Sequence, residues 1–286
     1  MTTSSSSNSI TTNEKEARLN ELFMMAPPRL LTTVTAMEDM DRYTLVQKHQ
    51  KHKNQLPTLF IYPEITSMPF YDKSHPMFAS IVQILENDQN LLKMKQECSQ
   101  VFYNNNNNNK DNGNTTSIFD IDTIHSSNYG GVWNSFYFVN QGNIVQNSVN
   151  QCPNTWEILQ QAFGELLCTG SGIGYVYFSR ITPGTHITPH CGVCNMRLRL
   201  QLPLSVDCNS DVKIRVADEW HTYQEGEAII FDDTFNHEVL YQKSDDDSVQ
   251  LSDRIVLLVD FWHPELTEAE RECTRILLPP DQVTDP

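Results

Sequence analysis

The sequence predicts a mainly β fold with flanking helices and a jelly-roll core. Seven short segments of strand character, separated by turns, follow one another between residues 174 and 262. Two longer segments with apolar residues at helical spacing precede them, at 77–102 and 153–167. A chain of 286 residues can enclose one sizeable core. We therefore expect one domain, alone or with a small helical attachment.

The predicted domain spans residues 56–275. Residues 1–55 are expected to be disordered or weakly structured, because the start of the chain is rich in Ser, Thr and Asn and has little to bury. Strands are expected at 56–65 and 131–142. An asparagine run marks a low-complexity loop at about 104–116, and residues 276–286 form a tail. The seven closing strands are GYVYFS, HITPH, MRLRLQLPL, VKIRVA, EAIIF, HEVLYQ and RIVLLVDFW.

The strand at 197–204 alternates between two kinds of residue. Leucines at 198, 200, 202 and 204 share one face, and Arg197, Arg199 and Gln201 share the other. The pattern alone favours an antiparallel strand with its arginines in water. The alternative packs the leucines under helices and turns the arginines into a barrel, where they would bind carboxylate.

The charge and composition exclude several kinds of partner. The formal net charge is −16, from 36 acidic and 20 basic residues, which argues against nucleic acid and anionic membranes. No stretch approaches the ~18–20 apolar residues of a membrane span, and the N-terminus lacks a signal-peptide pattern. The seven irregularly spaced cysteines are expected as reduced thiols. We expect a cytoplasmic protein.

A histidine and two thiols lie close together in His190-Cys191-x-x-Cys194. A structural zinc site would need a fourth ligand and usually a second CxxC, which the chain lacks. A redox dithiol is typical of a strand-to-helix junction, whereas this pair lies among strands. We interpret both cysteines as incidental, with zinc or dithiol chemistry as the alternative.

His190 and His237 are the better candidates for metal ligands. Imidazoles on two strands of a small barrel suit ferrous iron with open coordination positions. The usual arrangement adds a carboxylate two residues after the first histidine. Gly192 stands there instead, so the residues alone leave this site without its third ligand.

Several long segments resemble the aspartyl/asparaginyl β-hydroxylase family of oxygenases dependent on iron(II) and 2-oxoglutarate. They are PGTHITPHCGVCNMRLRL, HTYQEGEAIIFDDTFNHEV and RIVLLVDFWHPELTEAER, with PTLFIYPEITSMPFYD and NQG upstream. The resemblance covers residues from about 57 to 270. It implies a cupin-like double-stranded β-helix core and a dioxygenase that uses O2.

The resemblance also implies roles for single residues. Iron(II) would be held by His190 and His237 alone, with water in the gap at Gly192. Asp233 would hold that water as a third catalytic residue. The residues implied for 2-oxoglutarate are Ser179, Arg199, Gln201 and Arg254, and those implied for the substrate are Gln141 and Arg197.

Two positions depart from the family pattern, because Gln201 and Val139 stand where its animal members have histidine and tryptophan. The implied activity is hydroxylation of an aspartyl or asparaginyl side chain in a peptide or protein. Hydroxylation of an acidic small molecule or a lipid stays open, as does a non-catalytic metal-binding barrel. His186 and His263 are expected to support the structure.

Overall fold

The computed structural model describes residues 12–39, 42–104, 120–121, 131–243 and 250–280. A π-helical turn, Gln100–Asn104, and a 3₁₀ turn, Gly164–Leu166, accompany the α-helices. None of the described helices is both long enough and apolar enough to cross a bilayer. The α-helices are α1 Thr12–Met25, α2 Pro28–Asp39, α3 Arg42–His49, α4 Pro76–Leu85, α5 Asp88–Ser99, α6 Gln146–Gln151, α7 Pro153–Phe163 and α8 Glu268–Leu277.

All seven predicted closing strands are present. A further strand, β9, was missed because its sequence, EWHT, has no apolar alternation and all four residues are exposed. The strands are β1 Phe70–Tyr71, β2 Asp120–Ile121, β3 Trp133–Asn140, β4 Asn143–Ile144, β5 Val176–Ile181, β6 His186–His190, β7 Arg197–Ser205, β8 Val212–Val216, β9 Glu219–Thr222, β10 Ile229–Phe231, β11 His237–Tyr241 and β12 Arg254–Trp262.

The strands form two antiparallel sheets with a shared apolar layer between them. The larger sheet has the order β1-β10-β7-β12-β5-β3-β2, with β4 paired to β3, and the smaller has the order β6-β11-β8-β9. Ile214 and Val239 of the smaller sheet belong to one buried cluster with Ile181 and Val256 of the larger. Between β5 and β12 the chain crosses repeatedly from sheet to sheet. This confirms the predicted jelly-roll, or double-stranded β-helix, core.

Strand β7 turns its leucines outward and its arginines inward. The four leucines are buried in one cluster with apolar residues of α4, α5 and α7. On the other face, the side chains of Arg197 and Arg199 are only 3% and 12% exposed, against buried aspartates. The placement of these arginines in water, which the pattern alone favoured, was therefore wrong. An alternating pattern cannot distinguish a face in water from a face covered by compensating charges.

The expectation that residues 1–55 are disordered or weakly structured was wrong from Thr12 onward, where α1 begins. Leu22 and Leu30 are each 3% exposed and lie in one cluster with Cys273 and Leu266, near the end of the chain. A local reading of the composition cannot detect a partner more than 230 residues away. The first 11 residues, the asparagine-rich loop from 105 and the tail from 281 lie outside the described residues.

The strand expected at 56–65 was also wrong. Only Phe60 forms an isolated bridge, to Cys194. The amides of Thr58 and Leu59 donate instead to the carbonyl oxygens of Gly192 and Val193, at 3.0 and 2.9 Å. This segment therefore lines the loop after β6 rather than extending a sheet.

Candidate metal and co-substrate site

Two imidazoles face each other across neighbouring strands of the smaller sheet. His190 ends β6 and His237 begins β11, and the two residues are paired in register. Their ring centroids are 4.1 Å apart. Each Nδ1 lies within hydrogen-bond distance of a backbone carbonyl, at 2.8 Å from Thr188 and 2.9 Å from Phe235. An Nδ1–H that donates to these carbonyls puts the lone pair of each ring on Nε2, the arrangement typical of a metal ligand.

Gly192 and Asp233 occupy one volume beside these imidazoles. A Cβ built on Gly192 would overlap the carboxylate carbon and both carboxylate oxygens of Asp233. The amide of Gly192 also donates to the backbone carbonyl of Asp233, at 2.6 Å. The carboxylate of Asp233 therefore fills the space that a side chain at position 192 would take. Its Oδ1 is buried without a hydrogen-bond partner among the described residues.

Two arginines and two aspartates form a buried charge network next to the imidazoles. Arg199 donates to both carboxylate oxygens of Asp260, at 2.8 and 3.0 Å. Arg197 donates to Asp233 Oδ2 at 2.8 Å and also pairs with Asp260. Burial raises the pKa of Asp233, but the two guanidinium groups outweigh burial and hold the pKa below its ordinary value. Asp233 is therefore a carboxylate at neutral pH.

Burial and the neighbouring imidazole keep His237 in its neutral form. Burial is the larger cause and His190 the second, and together they hold the pKa of His237 well below its ordinary value. A neutral imidazole is the form that binds metal. In the described part of the chain no cluster of three or more His, Cys, Asp or Glu side chains has the geometry of a metal site. The arrangement is a histidine pair with one carboxylate behind it.

Arg254 is a buried cation at the start of β12. It is 1% exposed and forms no ion pair with a carboxylate in the described part of the chain. Its Nη1 lies 3.4 Å from Ser179 Oγ, which also accepts from Trp133 Nε1 at 3.0 Å. Its Nε is buried without a hydrogen-bond partner among the described residues. A buried guanidinium whose hydrogen-bond donors are only partly satisfied by the described residues suits an anionic ligand.

Tyr223 links Arg254 to Gln201. Its hydroxyl accepts from Arg254 Nη2 at 3.1 Å and donates to Gln201 Oε1. The guanidinium carbon lies 4.7 Å from the centroid of its ring. Neither Tyr223 nor Trp133 was predicted as a site residue, because an aromatic residue near a strand is more often core.

Ser179, Arg199, Gln201 and Arg254 all lie on strands of the larger sheet, β5, β7 and β12. The histidine pair and Asp233 lie on the smaller sheet and on the loop that enters it. Arg199 connects the two groups, because its charge lowers the pKa values of both Asp233 and His237. The double-stranded β-helix thus brings residues from 179 to 254 into one buried region.

Gln141 lies in the turn between β3 and β4, with a positive φ of 47°. Its neighbour Gly142 donates to the carbonyl of Gly174, and Tyr175 donates to Asp260 Oδ2. The turn therefore lies at the end of the sheet that carries Asp260. Val139 is fully buried in the core under the helices, so its side chain faces away from the charge network.

The remaining predicted histidines make structural contacts. His186 Nε2 lies 2.6 Å from a carboxylate oxygen of Glu238. His263 Nε2 lies 2.9 Å from the carbonyl of Thr66, and its Nδ1 accepts from the amide of Glu265 at 3.2 Å. His263 thus joins the end of β12 to the loop before α8, as the sequence predicted.

The CxxC thiols are poor candidates for thiolate chemistry. Cys194 is fully buried, and burial raises its pKa to about 12. Burial also raises the pKa of the half-buried Cys191. Metal binding and dithiol exchange both need a thiolate. The geometry therefore favours the interpretation that the two thiols are incidental to the site.

Comparison with known proteins identifies the family of the chain. The sequence profile described as aspartyl/asparaginyl beta-hydroxylase matches residues 80–264. The chain is 40% identical over 141 residues to the mouse aspartyl/asparaginyl beta-hydroxylase, covering 49% of this chain and 18% of that protein. It is 30% identical over 229 residues to the human aspartate beta-hydroxylase domain-containing protein 2, covering 79% of this chain and 56% of that protein.

A third relative carries a different name. The ornithine lipid ester-linked acyl 2-hydroxylase of Rhizobium tropici is 35% identical over 133 residues, covering 46% of this chain and 42% of that protein. In each of these three relatives the matched region spans less than two thirds of the protein's own length. With the profile matched over most of the described domain, the chain belongs to the aspartyl/asparaginyl β-hydroxylase family.

Proposed function

We propose that this chain is an iron(II)- and 2-oxoglutarate-dependent dioxygenase that hydroxylates an aspartyl or asparaginyl side chain of a peptide or protein. The observation that carries the proposal is the pair of imidazoles in register across β6 and β11, with ring centroids 4.1 Å apart. A cytoplasmic location stays a prediction from the sequence.

The residues present fit a divalent iron ion. His190 and His237 would hold it, because their Nδ1 atoms are directed at backbone carbonyls and their Nε2 atoms carry the lone pairs. Asp233 fills the space at Gly192, and its unpartnered Oδ1 supports a role as the acceptor for a metal-bound water. Arg197 holds Oδ2 of the same carboxylate and so fixes its orientation.

The residues also fit the distal carboxylate of 2-oxoglutarate. Arg254 is a buried cation that lacks a carboxylate partner among the described residues, and Ser179 adds a hydroxyl beside it. A charge-assisted hydrogen bond to a carboxylate is about twice as strong as a neutral one. Gln201 and Tyr223 keep the guanidinium in place, and Arg199 contributes positive charge between this pocket and the histidine pair.

Iron and 2-oxoglutarate, when bound, would supply the activation of O2 and the oxidation of a C–H bond. The chain's own contribution is orientation and exclusion of water. His237, Asp233 and Arg254 are each at most 3% exposed, so the charges that bind the reactants act in a region of low dielectric. Gln141 is proposed to face the substrate side chain. Arg197, buried between Asp233 and Asp260, would influence the substrate only through Asp233.

A second candidate function is hydroxylation of a lipid or an acidic small molecule. The 35% identity to a lipid acyl 2-hydroxylase over 133 residues favours it. A third candidate is a barrel that binds metal without turnover. All three functions use the same histidine pair, so substrate assays are needed to separate them.

The first test is a spectroscopic titration in the absence of O2. Adding Fe(II) and then 2-oxoglutarate to the purified protein should give a weak visible charge-transfer band, and His237→Ala should abolish it. His186→Ala, which removes an imidazole outside the site, is the matched control and should retain the band. If the intact protein shows no band, the iron assignment is wrong.

The second test separates the co-substrate pocket from the metal site. Arg254→Ala should weaken 2-oxoglutarate binding far more than Fe(II) binding, because the guanidinium pairs with a carboxylate and not with the metal. An equal loss of both affinities would contradict its assigned role. Succinate release, measured with a peptide library, a panel of acidic metabolites and lipid substrates, then identifies the substrate class. A protein that binds both ligands and releases no succinate with any of them would be the non-catalytic barrel.

A further inference from the structure

A cavity outside the candidate active site lies between the C-terminal end of α3 and residues 61–67. Its volume is about 330 Å³, within the range of small-molecule sites. Its lining includes none of the histidines, arginines or aspartates of the candidate active site. Asn195 fixes one wall, since its side chain accepts from the amide of Tyr62 at 2.6 Å and donates to the carbonyl of the same residue at 3.0 Å. This cavity is therefore a separate, pre-formed space.

The charge at this cavity is opposite to that of the chain. Lys48, His49 and Lys51 line it, and Glu64 is the acidic residue among the described lining residues. In the described part of the chain, the side chains of the three basic residues form no ion pair with a carboxylate. The three side chains lie around one cavity. Burial, then the charges of Lys48 and Lys51, lower the pKa of His49, so the two lysines carry the positive charge at neutral pH. A concentration of unpaired positive charge is unexpected in a chain with a net charge of −16.

The helix end explains only part of this cluster. Lys48 and His49 lie in the last turn of α3, where basic residues stabilise the negative end of the helix dipole. Lys51 lies beyond the helix and gains nothing from that interaction. All three nevertheless line the same cavity.

The floor of the cavity is connected to the loop of the candidate metal site. Gln55 is 1% exposed and donates to Ser67 Oγ at 2.6 Å and to Thr234 Oγ1 at 3.1 Å. Ser67 in turn donates to the carboxylate of Asp232, the neighbour of Asp233. These hydrogen bonds fix the polar floor in one arrangement, so little ordering would be needed for a ligand to bind.

We propose that this cavity, here named the basic cavity, binds a small oxyanion that carries phosphate or carboxylate groups. Lys48 and Lys51 supply the positive charge, the ring of His49 supplies a hydrogen-bond donor, and Gln55 and Ser67 form a polar floor. The proposal does not depend on the activity of the enzyme.

The test is isothermal titration of the full-length protein at low ionic strength with inorganic phosphate and, separately, with citrate. Tighter binding of one probe distinguishes a phosphate ligand from a carboxylate ligand. Saturable binding at one site is expected for at least one probe, and no saturable binding of either would overturn the proposal. The Lys48→Gln/Lys51→Gln variant should weaken binding about 10-fold or more, because two charge-assisted contacts are lost.

Two controls assign the binding to this cavity. Lys15→Gln/Lys93→Gln has the same change in net charge at exposed positions outside the cavity, and should weaken binding less than about twofold. If both double variants weaken probe binding equally, the effect comes from the change in net charge alone, and the proposal is wrong. Arg254→Met should leave binding of the probe unchanged. If this variant no longer binds the probe, the probe occupies the co-substrate pocket and not the basic cavity.

An NMR titration of the unaltered protein locates the bound ligand without any substitution. The ring signals of His49, followed by NMR, should shift with the same saturation curve as the heat of binding. Binding without a shift of His49 would place the ligand elsewhere. Unfolding temperatures of both double variants should stay within a few degrees of the unaltered protein, since the substituted lysines are exposed.

Discussion

Asp233 can keep its position only while residue 192 is glycine. The carboxylate of Asp233 fills the volume in which a Cβ at position 192 would lie. The position two residues after His190, where the usual arrangement has a carboxylate, thus lies against a carboxylate from the loop before β11. The sequence predicted both residues as part of the site, but not that they share this space, because the two are separated by 41 positions in the chain.

This shared space predicts strong coupling between two substitutions. Gly192→Ala should displace Asp233, destabilise the fold by about 1–3 kcal/mol and weaken Co(II) binding. In an Asp233→Ala background, Gly192→Ala should cost much less stability, giving a coupling of about 1–2 kcal/mol. Urea unfolding and Co(II) titration of the four proteins measure both effects. Additive losses would show that the two side chains do not compete for one volume.

Asp232, next to Asp233, should make stability depend on pH. Burial raises its pKa to about 6, although Ser67 and Thr234 donate hydrogen bonds to it. The folded protein therefore keeps a proton that the unfolded chain releases near its ordinary pKa of 3.8. The resulting stabilisation is complete below about pH 4 and is lost as pH rises through about 6, by about 3 kcal/mol at most.

The measurement is urea unfolding between pH 4 and 7.5 for the unaltered protein and Asp232→Asn. The stability of the unaltered protein relative to this variant should fall across that window, since the amide does not titrate. Asp218→Asn, which removes an exposed carboxylate in the turn between β8 and β9, is the control for the loss of one negative charge. Parallel profiles for all three proteins would mean that Asp232 ionises freely in the fold.

At the scale of elements, β7 joins the core to the site. Its leucines pack under α4, α5 and α7, while Arg199 and Gln201 reach into the space between the sheets. The alternation of the strand was predicted from the sequence. The sequence did not predict that both faces would be buried. Leucines can be buried without a partner, whereas arginines are buried only when aspartates from other strands lie opposite them.

The hydroxyl of Tyr223 links Arg254 of β12 to Gln201 of β7, and its removal tests whether this link supports co-substrate binding. Tyr223→Phe removes the hydroxyl between Arg254 and Gln201 and should weaken 2-oxoglutarate binding about tenfold, with little change in Fe(II) affinity. Anaerobic titration of each ligand measures the two affinities separately. Tyr62→Phe removes another buried hydroxyl, one bonded to Glu270, and should not change 2-oxoglutarate binding. Equal effects of the two variants would make the role of Tyr223 merely structural.

At the scale of the whole molecule, an N-terminal helix contacts the last helix. Arg29 of α2 donates to both oxygens of Glu270 in α8, at 2.7 and 3.3 Å, across 241 positions of sequence. Glu270 also accepts from Tyr62 and belongs to a capping box with Thr267 at the start of α8. Helix α2 is therefore tied to α8 of the β-rich domain by a buried carboxylate.

Arg29→Met should destabilise the protein by about 2–4 kcal/mol, because it leaves the fully buried carboxylate of Glu270 without its cationic partner. Arg18→Met breaks an ion pair whose side chains are 53% and 66% exposed, and should cost less than about 0.5 kcal/mol. Chemical denaturation of both variants gives the comparison. A small effect of Arg29→Met would mean that the N-terminal helices contribute little to the stability of the domain.

The sequence by itself determined the strand periods of the closing region, the two imidazoles, the glycine between them and the arginine that opens β12. The strands follow from local alternation and the imidazoles from residue types that are chemically specific, whereas the roles of the glycine and the arginine follow from the resemblance to the family. Only the tertiary structure decided that Asp233 fills the space at Gly192, that Tyr223 holds Arg254, and that the first helices pack on the last. These are contacts between residues from 30 to 240 positions apart, and local patterns carry no information about which distant side chains will share a volume.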